Sequence, residues 1–374
     1  MWVILVYDRV VIIGAGMMGL RLAENLAKSG INVDVYDGKK NIEYGADKAS
    51  GVLSISGVKR LNIDYTGALI NTLYGADIHS NNKELSVLSK EPKAYVLDRK
   101  VLISNSYKNA IKSGANIHLG KRMNLNEIRN LDDGNTIIVG SDGVVSYTAK
   151  AFGFPEISNY VLTYKVQYSN TAYNKLDRVQ LFFDNSISKG FFSWAIPYSK
   201  SKTEIGIGTE PKSNYTSKTA FDKLKSRGYL DKIIGENAEQ DSVYASLIPI
   251  SIRKKTAIGN VLLLGDAAGQ TKSTTGGGLI FGLSCADIAY KSIKDTIKLA
   301  KPLQNYDRDW RKAYGNDLKM HKILHSYYSS LNNRLFDFNL LMMNIFGLDS
   351  FFGKYGDMDS LKLMIRRFFF RFGG

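Results

Sequence analysis

Three glycines near the N-terminus have the spacing of a turn that binds a dinucleotide. Gly14-x-Gly16-x-x-Gly19 follows the apolar run 10–13 and opens a stretch with helical spacing of apolar residues. In such a turn the first glycine permits the tight bend, the second lets the backbone approach a pyrophosphate, and the third lets helix and strand pack closely. The start of the helix adds unpaired N–H groups, and an acidic residue ending the next strand, here Asp37, can accept hydrogen bonds from ribose hydroxyls. The predicted contacts of this unit are Gly14, Ala15, Gly16, Met18, Gly19, Asp37 and Gly38.

Two later carboxylates follow apolar strands and indicate which dinucleotide binds. Residues 137–146 predict a strand that runs into Asp142-Gly143, and residues 260–264 predict a buried strand that ends before Gly265-Asp266. Glycines at 276–278 open another helix, whose positive end can point at the N1–C2=O edge of a flavin ring. This order of motifs suits a ligand longer than the binding half of NAD, so we predict FAD. The predicted contacts are Asp142, Gly143, Gly265, Asp266, Ala267, Gly277, Gly278 and Leu279.

The rest of the chain must hold these motifs at one edge of a parallel sheet. Continuous apolar runs predict that sheet, and alternating patterns at 179–183, 191–196 and 204–208 predict an antiparallel meander. We therefore predict an α/β (α+β) chain with a Rossmann-type FAD-binding domain, an inserted antiparallel β-sheet substrate domain and a C-terminal helical segment. The predicted boundaries are 1–58, 96–150 and 258–300 for the discontinuous FAD-binding domain, 59–95 and 151–257 for the β-rich domain, and 301–374 for the helical region.

Composition narrows the classes of function. The single cysteine, Cys285, excludes an intramolecular disulfide and a multi-cysteine metal site and fits a reducing cytoplasm. A net charge of +15 attracts anions, but no motif of a nucleic-acid module is present, so we predict no nucleic-acid partner. The short apolar start, 1–6, predicts an extension of the first strand rather than a secretory signal. His321 and His325 have the spacing of a metal pair on a helix, but no third ligand is evident, and we predict no metal site.

The C-terminal residues form one apolar, aromatic face if they are helical. Two interpretations of this face are open: an amphipathic segment on an anionic membrane, which would make a cytoplasmic protein peripheral on the inner membrane face, or a terminal helix docked on its own domain. The face consists of Leu361, Met364, Ile365, Phe368 and Phe372, while the basic residues Lys362, Arg366, Arg367 and Arg371 lie mostly elsewhere.

The three motifs in this order resemble the flavoprotein superfamily of p-hydroxybenzoate hydroxylase. Within it the chain, from about residue 7 to 318, is most similar to archaeal geranylgeranyl reductases, also called digeranylgeranylglycerophospholipid reductases. Phe192-x-Trp194-x-Ile196-Pro197 followed by Gly206-x-Gly208 resembles the signature that lines the prenyl-chain cavity. Further similar segments are 48–54, 94–99, 276–279 and 306–311. The resemblance implies FAD contacts at Ala49, Ser50, Gly51 and Arg99, with Met123 completing the predicted set, and a substrate site at Phe192, Trp194, Ile196, Pro197, Gly206 and Gly208.

The residue pattern of the proposed substrate strand is consistent with an apolar pocket, whereas the sequence of one loop differs from that of the family. Phe192, Trp194 and Ile196 alternate and so share a face, which is either a wall for an isoprenoid chain or part of the core of the meander. The family's loop normally carries a cysteine near the flavin, where this chain has Ala49, or Ser50 if the register slips by one. A partial reductase or a different prenyl substrate is therefore open.

The resemblance implies an FAD-dependent oxidoreductase of archaeal membrane lipid biosynthesis. Reduced FAD would deliver hydride from N5 to C=C bonds of geranylgeranyl chains, while the protein positions the reactants and excludes water. No second Rossmann fingerprint for a nicotinamide is visible, so we expect a ferredoxin or another reductase as electron donor. Two alternatives stay open: an FAD-dependent monooxygenase or halogenase of the same superfamily, since halogenases carry a related W-x-W-x-I-P element, and a non-catalytic flavoprotein that relays electrons.

Overall fold

The computed structural model describes residues 7–213 and 216–361. The predicted strand extension at 1–6 and nearly all of the predicted amphipathic segment at 361–372 lie outside the described residues. The strands are β1 (Arg9–Ile13), β2 (Asn32–Asp37), β3 (Val52–Ser54), β4 (Leu69–Leu73), β5 (Gly75–His79), β6 (Glu84–Leu88), β7 (Ala94–Leu97), β8 (Asn116–Leu119), β9 (Thr136–Gly140), β10 (Tyr160–Ser169), β11 (Arg178–Phe182), β12 (Ser193–Ser199), β13 (Lys202–Thr209), β14 (Glu239–Pro249), β15 (Ala257–Ile258) and β16 (Val261–Leu263). The helices are α1 (Met17–Lys28), α2 (Ile55–Arg60), α3 (Arg99–Lys112), α4 (Leu125–Arg129), α5 (Tyr147–Ala151), α6 (Ser217–Ser226), α7 (Asp231–Ile234), α8 (Leu279–Leu299), α9 (Asn305–Ser330), α10 (Asn333–Ile345) and α11 (Leu348–Tyr355), with short 3₁₀ turns at Ala46–Lys48 and Gly265–Ala268.

A six-stranded sheet with the order β15-β16-β9-β1-β2-β8 carries the predicted dinucleotide motifs. Its strands are parallel except β15, which pairs antiparallel with β16. The apolar runs of β1 and β9 are buried on both faces, as a parallel strand covered by helices requires. Because carboxyl ends of parallel strands share one edge, the segments that follow β1, β2, β9 and β16 meet there. This arrangement confirms the predicted Rossmann-type half of the fold.

A seven-stranded sheet with the order β14-β10-β13-β12-β11-β5-β6 forms the second layer. The predicted meander is confirmed, because β11, β12 and β13 pair antiparallel in succession, while β5 joins β11 in parallel. One face, which includes Ala195 and Ile205, packs on Phe221 and Leu224 of α6. The opposite face carries Trp194 and alternate residues of the neighbouring strands.

A small sheet consists of β3, β7 and β4, whose strands flank β5 and β6 in the sequence. The predicted boundary between 95 and 96 falls within β7, and the domain limits as a whole stay a prediction. The C-terminal part is mostly helical from α9 to α11, as the sequence predicts for 301–374. Tyr306 and Trp310 of α9 are fully buried against the Rossmann core, and Cys285 of α8 is also fully buried.

Candidate functional site

The glycines of the first turn divide into two that packing requires and one that leaves space. A Cβ on Gly14, whose φ is +107°, would overlap the carbonyl oxygen of Ser141, and one on Gly19 would overlap that of Gly14. A Cβ on Gly16 would meet nothing within 4 Å. Gly16 is also the N-cap of α1, where no side chain caps the helix and no acidic residue stands in the first turn. The open side of this turn is therefore a place for an anion held by backbone N–H groups.

Asp37 orders this turn and is paired with a lysine that sequence reasoning missed. Its Oδ2 accepts from the backbone N–H of Ala15 at 2.8 Å, and its Oδ1 accepts from that of Lys39 at 2.9 Å. The ammonium of Lys39 donates to the carbonyl oxygen of Ala15 at 2.9 Å and lies 3.6 Å from Asp37 Oδ2. Burial lowers the pKa of Lys39, and Asp37 opposes that shift. The only sequence signal for this contact is a lysine two residues after the acid.

Three polar side chains, of Asp142, Arg99 and Asp266, lie near the carboxyl edge of the Rossmann sheet, and two of them have a buried atom without a hydrogen-bond partner among the described residues. Asp142 Oδ2 accepts from the backbone N–H and hydroxyl of Thr148 at 2.9 and 3.1 Å. Asp142 Oδ1 and Arg99 Nε are buried and have no hydrogen-bond partner within the described part of the chain. Asp266 Oδ1 accepts from the Thr271 hydroxyl at 3.1 Å, and burial raises the pKa of Asp266 while Arg99 opposes the rise. A polar ligand fits groups that are buried in this way.

The remaining residues of the second and third motifs pack against the first turn or begin helix α8. Gly265 and Gly282 both face the side chain of Met18, and a Cβ on either would lie within 2.8 Å of it. Met18 therefore packs the first turn against α8. Helix α8 begins at Leu279 with Gly278 as its N-cap and no side-chain cap, so its first N–H groups are available to a ligand. Met123 packs near Val11 and Ile13.

The loop at 49–51 connects the Rossmann half to the seven-stranded sheet. Gly51 is required there, because a Cβ would overlap the carbonyl oxygen of Leu97 on β7. The Ser50 hydroxyl donates to Glu204 Oε1, whereas the Ala49 side chain is exposed. Of the two candidates for the family's cysteine position, Ser50 is thus the one whose side chain reaches the substrate sheet.

All of the predicted substrate residues except Pro197 lie on one face of the seven-stranded sheet, whereas Pro197 pairs with Thr203 on the opposite face. The rings of Phe192 and Trp194 meet with centroids 5.9 Å apart, and Ile196 packs in the next cluster along the same strand. Gly206 lies opposite Trp194, where a Cβ would overlap the indole ring, and Gly208 makes the same room for the ring of Phe191. These two glycines shape the wall by admitting aromatic rings. The buried Pro197 adds its carbonyl oxygen as an acceptor for the side-chain amide of a neighbouring asparagine at 3.0 Å.

A buried glutamate on the same face is the main group that sequence reasoning missed. Glu204 of β13 is 0% exposed, and four donors converge on its carboxylate. Lys165 Nζ lies 2.6 Å and the Tyr198 hydroxyl 3.0 Å from Oε2, while Trp194 Nε1 lies 3.1 Å from Oε1, beside the Ser50 hydroxyl. We call these five residues the Glu204 cluster. The available signal was an acidic residue alternating with Gly206 and Gly208 on a strand of otherwise small or apolar residues.

A cavity of about 310 Å³ opens between the loop at 46–50 and the β12–β13 hairpin. Arg99 and Tyr198 line it, together with Asp47, Gln167 and Lys202. Asp47 is held at its rim by Lys100 at 2.8 Å and by the hydroxyl of a tyrosine on β14 at 3.2 Å. The Glu204 cluster, the Arg99 guanidinium and this cavity thus lie at one junction of the two halves.

The two histidines of α9 serve as hydrogen-bonding groups that hold loops. His321 Nδ1 pairs with the Thr274 hydroxyl at 2.7 Å, and His325 Nε2 pairs with the carbonyl oxygen of Gly190 at 3.0 Å. Burial, assisted by the ammonium of Lys272, lowers the pKa of His321 to about 4. Lys272 in turn forms a buried ion pair with Asp359 at 2.6 Å, which connects the glycine-rich loop to the last described residues.

One group with metal-ligand chemistry occurs in the described ranges, at Asp77, His79 and Glu84. The carboxylate of Asp77 already accepts from Lys175 at 2.7 Å and from Arg178 at 3.3 Å. Two cationic side chains on the same oxygens compete with a metal ion, so this group is better described as an ion-pair network.

Comparison with known proteins finds a similar nucleotide-binding domain and similar archaeal proteins. The family model for the NAD binding domain of 3-hydroxyacyl-CoA dehydrogenase matches residues 9–64, which is the β1–α1–β2 unit and the segment behind it. An uncharacterized protein of Methanocaldococcus jannaschii is 29% identical over 94% of this chain and 92% of its own. Digeranylgeranylglycerophospholipid reductase 1 of Methanosphaera stadtmanae is 26% identical over 82% of this chain and 78% of its own.

Solved structures show the same fold. A geranylgeranyl bacteriochlorophyll reductase-like protein from Thermoplasma acidophilum superposes with a TM-score of 0.80 at 15% identity, covering 98% of this chain and 97% of that one. A halogenase in complex with FAD gives a TM-score of 0.62 at 14% identity, covering 86% and 77%. The predicted resemblance is thereby confirmed: over most of its length the chain is similar to archaeal digeranylgeranylglycerophospholipid reductases, and it has the fold of the geranylgeranyl bacteriochlorophyll reductase-like protein and of the halogenase.

Proposed function

We propose that this protein is an FAD-dependent oxidoreductase that saturates C=C bonds in the prenyl chains of isoprenoid lipids. The observation that carries the proposal is the hydrogen bond from Ser50 to Glu204. It joins the loop predicted to contact FAD to the same sheet face that presents Trp194 and Ile196, so a cofactor site and an apolar wall share one boundary. The archaeal reductases to which the chain is related support the prenyl substrate.

The described residues fit FAD at both ends of the proposed site. The open turn at Gly16 and the start of α1 would hold the pyrophosphate, and Asp37 the adenosine ribose. Asp266 would accept from a hydroxyl of the ribityl chain, and the uncapped start of α8 would face the pyrimidine edge of the ring. When bound, FAD supplies the hydride for the reduction. The wall around Trp194 would hold the prenyl chain against it and exclude water.

A glycine pair tests cofactor binding without depending on the lipid. Gly16→Ala places its Cβ in open space at a φ of −79°, so the fold should be retained while FAD affinity falls by about tenfold or more, as expected for a displaced phosphate contact. Gly19→Ala is the matched variant that should destabilise the apoprotein, because its Cβ would lie 2.6 Å from Ser141 Oγ. Fluorescence titration with FAD and urea unfolding separate these outcomes. A wild-type protein that takes up no flavin would refute the proposal.

The reaction itself is tested by mass spectrometry of lipids after anaerobic incubation with chemically reduced protein. A gain of two mass units per reduced bond is expected. Flavin reoxidation with no altered lipid would instead support the electron-relay alternative. Wild-type protein that binds FAD but leaves the prenyl lipid unaltered would contradict the reductase proposal.

A monooxygenase or halogenase is the second candidate, and Lys165 is the observation that favours it. Halogenases of this superfamily need a reactive lysine, and Lys165 belongs to the same cluster as the Trp194 indole. Its Nζ lies 2.6 Å from Glu204 Oε2, so in this structure the lysine is engaged in a salt bridge. Turnover of the reduced protein with O2 and an aromatic substrate, lost in Lys165→Met, would establish this alternative.

We further propose that the C-terminal helices contact an anionic membrane, on its inner face. Large apolar side chains on α9 and α10 are exposed in one stretch of sequence, among them Ile323 at 70%, Phe338 at 57% and Ile345 at 64%. No single helix in the described ranges is long and apolar enough to cross a bilayer. Taken together, α10 and α11 have sufficient length and apolar composition, but they are bent by 78°. A net charge of +15 adds attraction to anionic headgroups, and equally to an acidic electron donor such as a ferredoxin.

Liposome sedimentation tests this contact. Phe338→Ser together with Ile345→Ser should reduce binding to vesicles with an anionic lipid, while Leu88→Ser, at an exposed position on β6, serves as the control. If both variants sediment with the vesicles as the wild type does, α10 is not the contact. Loss of the salt-sensitive part of binding alone would assign the contact to charge rather than to these apolar side chains.

A further inference from the structure

The Glu204 cluster is a charged group in the interior of a sheet. Glu204 is 0% exposed, and the side chain of Lys165 is 3% exposed, with the Tyr244 ring 5.5 Å from its ammonium. Removing both charges from water costs several kcal/mol, and a buried ion pair of this kind is often no more stabilising than apolar residues of the same size. The stability of the sheet therefore does not explain why the pair is there.

The direction of each hydrogen bond follows from the chemistry of the carboxylate. An ionised carboxylate only accepts, so both hydroxyls, of Ser50 and Tyr198, must give their hydrogen to Glu204. The lone pairs of Ser50 Oγ can then accept, whereas the Tyr198 hydroxyl is also hydrogen-bonded to the side chain of Gln167. Tyr198 lines the 310 Å³ cavity beside Arg99, and Ser50 belongs to the half-exposed loop at 49–51.

The four donors come from different parts of the chain. Lys165, Trp194 and Tyr198 belong to β10 and β12 of the substrate sheet, whereas Ser50 belongs to the loop that leaves the Rossmann half. Glu204 thus contacts the loop, the indole of the apolar wall and the hydroxyl of a cavity-lining tyrosine at the same time.

We propose that Glu204 is a positioning residue that couples the cofactor loop to the substrate wall, and that it turns Ser50 into an acceptor for an N–H or O–H group of the ligand. This inference rests on the proposed function. It supplies a role for the loop in a chain that lacks the cysteine of its relatives, because the hydroxyl of Ser50 is held in place by a buried charge. Lys165 Nζ lies 2.6 Å from the Glu204 carboxylate and provides the opposite charge.

The test compares Glu204→Gln with Asp77→Asn, a second buried carboxylate of the same sheet that contacts neither the loop nor the wall. The readouts are the FAD dissociation constant and the visible spectrum of the bound flavin. Glu204→Gln should weaken FAD binding by about tenfold and shift the flavin absorption, as loss of one charge-assisted hydrogen bond implies. Asp77→Asn should leave both readouts at the wild-type values.

Two further variants keep the proposal testable if Glu204→Gln folds poorly. Lys165→Met combined with Glu204→Gln removes both charges and leaves no unpaired ion in the sheet. Ser50→Ala removes only the link to the loop, and Ser50→Thr should restore the wild-type spectrum because it keeps the hydroxyl. Wild-type protein that binds no FAD refutes the proposed function; wild-type binding with an unchanged constant and spectrum in folded Glu204→Gln and Ser50→Ala refutes the positioning role alone.

Discussion

Two buried carboxylates lie in the same seven-stranded sheet but have different roles. Glu204 and Asp77 are both 0% exposed, and each accepts from four side chains. The register from Asp77 to Gln180 and on to Ala195 places Asp77 on the face covered by α6, opposite the face that carries Trp194. Depth of burial therefore does not distinguish a structural carboxylate from one at a functional site.

The difference lies in where the partners come from. The donors to Asp77 are Lys175, Arg178, Gln180 and Ser86, all on or beside β11 and β6, and the side chain of Lys175 is 45% exposed. They connect the edge strands of one sheet to each other, with solvent close by. The donors to Glu204 include a residue 154 positions away in another part of the fold, and its counter-ion is 3% exposed. A buried acid that bridges two units at a cavity is the better candidate for function.

Removing the counter-ion of each acid should produce the largest difference in stability between the two networks. Lys165→Met leaves the carboxylate of Glu204 buried without a cation and should lower the free energy of unfolding by about 3–5 kcal/mol. Lys175→Met should cost less than about 1 kcal/mol, because that lysine is half exposed and Arg178 remains beside Asp77. Urea unfolding of both variants at neutral pH measures the difference. Equal losses would show that the two acids have the same electrostatic environment.

Acid should act on the Asp77 network in a defined direction. Hydrogen bonds from Lys175 and its neighbours outweigh burial and lower the pKa of Asp77 to about 2, below its ordinary value of 3.8. Because the pKa is lower in the folded state, the stabilisation is present above pH 4 and is lost as the pH falls towards 2. The stability difference between wild type and Asp77→Asn, about 1–3 kcal/mol at pH 6, should shrink over that range. A difference that stays constant down to pH 2 would contradict this account.

The sequence contained most of the local structure of the Rossmann half. Gly14, Gly16 and Gly19 act within a few residues of each other, so their roles follow from spacing. Helix α3 begins at Arg99 because the Asp98 side chain caps it. Local rules of turn, cap and period suffice for elements of this kind.

The cross-sheet contacts could not be obtained in the same way. Glu204 meets Ser50 only because the loop at 49–51 crosses to a sheet formed much later in the chain. Gly206 looks like a substrate contact in the signature, yet its visible role is to admit the Trp194 ring from the neighbouring strand. The cofactor and substrate roles of the individual residues stay predictions, since each depends on a ligand whose contacts are not fixed by the chain.

Tyrosine hydroxyls provide a finer comparison of the two regions. Tyr198→Phe removes a donor to a charged acceptor and should cost about 1.5–3 kcal/mol, whereas Tyr173→Phe, near Asp77, removes a donor to the neutral carbonyl of Arg178 and should cost about 0.5–1.5 kcal/mol. Both rings keep their packing, so the difference reports the charge of the acceptor. Thermal and urea unfolding of the two variants measure this difference. A larger loss for Tyr173→Phe than for Tyr198→Phe would contradict a charged acceptor at Glu204.

The smallest loss of stability should come from replacing the serines. The two variants should differ in where the structure loosens rather than in how much stability is lost. Ser50→Ala and Ser86→Ala each remove one hydroxyl from a carboxylate that keeps three other donors, so each should cost no more than about 1 kcal/mol. Only Ser50→Ala releases a loop from the substrate sheet, because Ser86 lies on β6 next to the strand of its acceptor. Limited proteolysis near residues 45–51 should therefore accelerate in Ser50→Ala and remain unchanged in Ser86→Ala. If the loop is cleaved at the same rate in both, Glu204 does not hold it, and the two carboxylates differ only in their counter-ions.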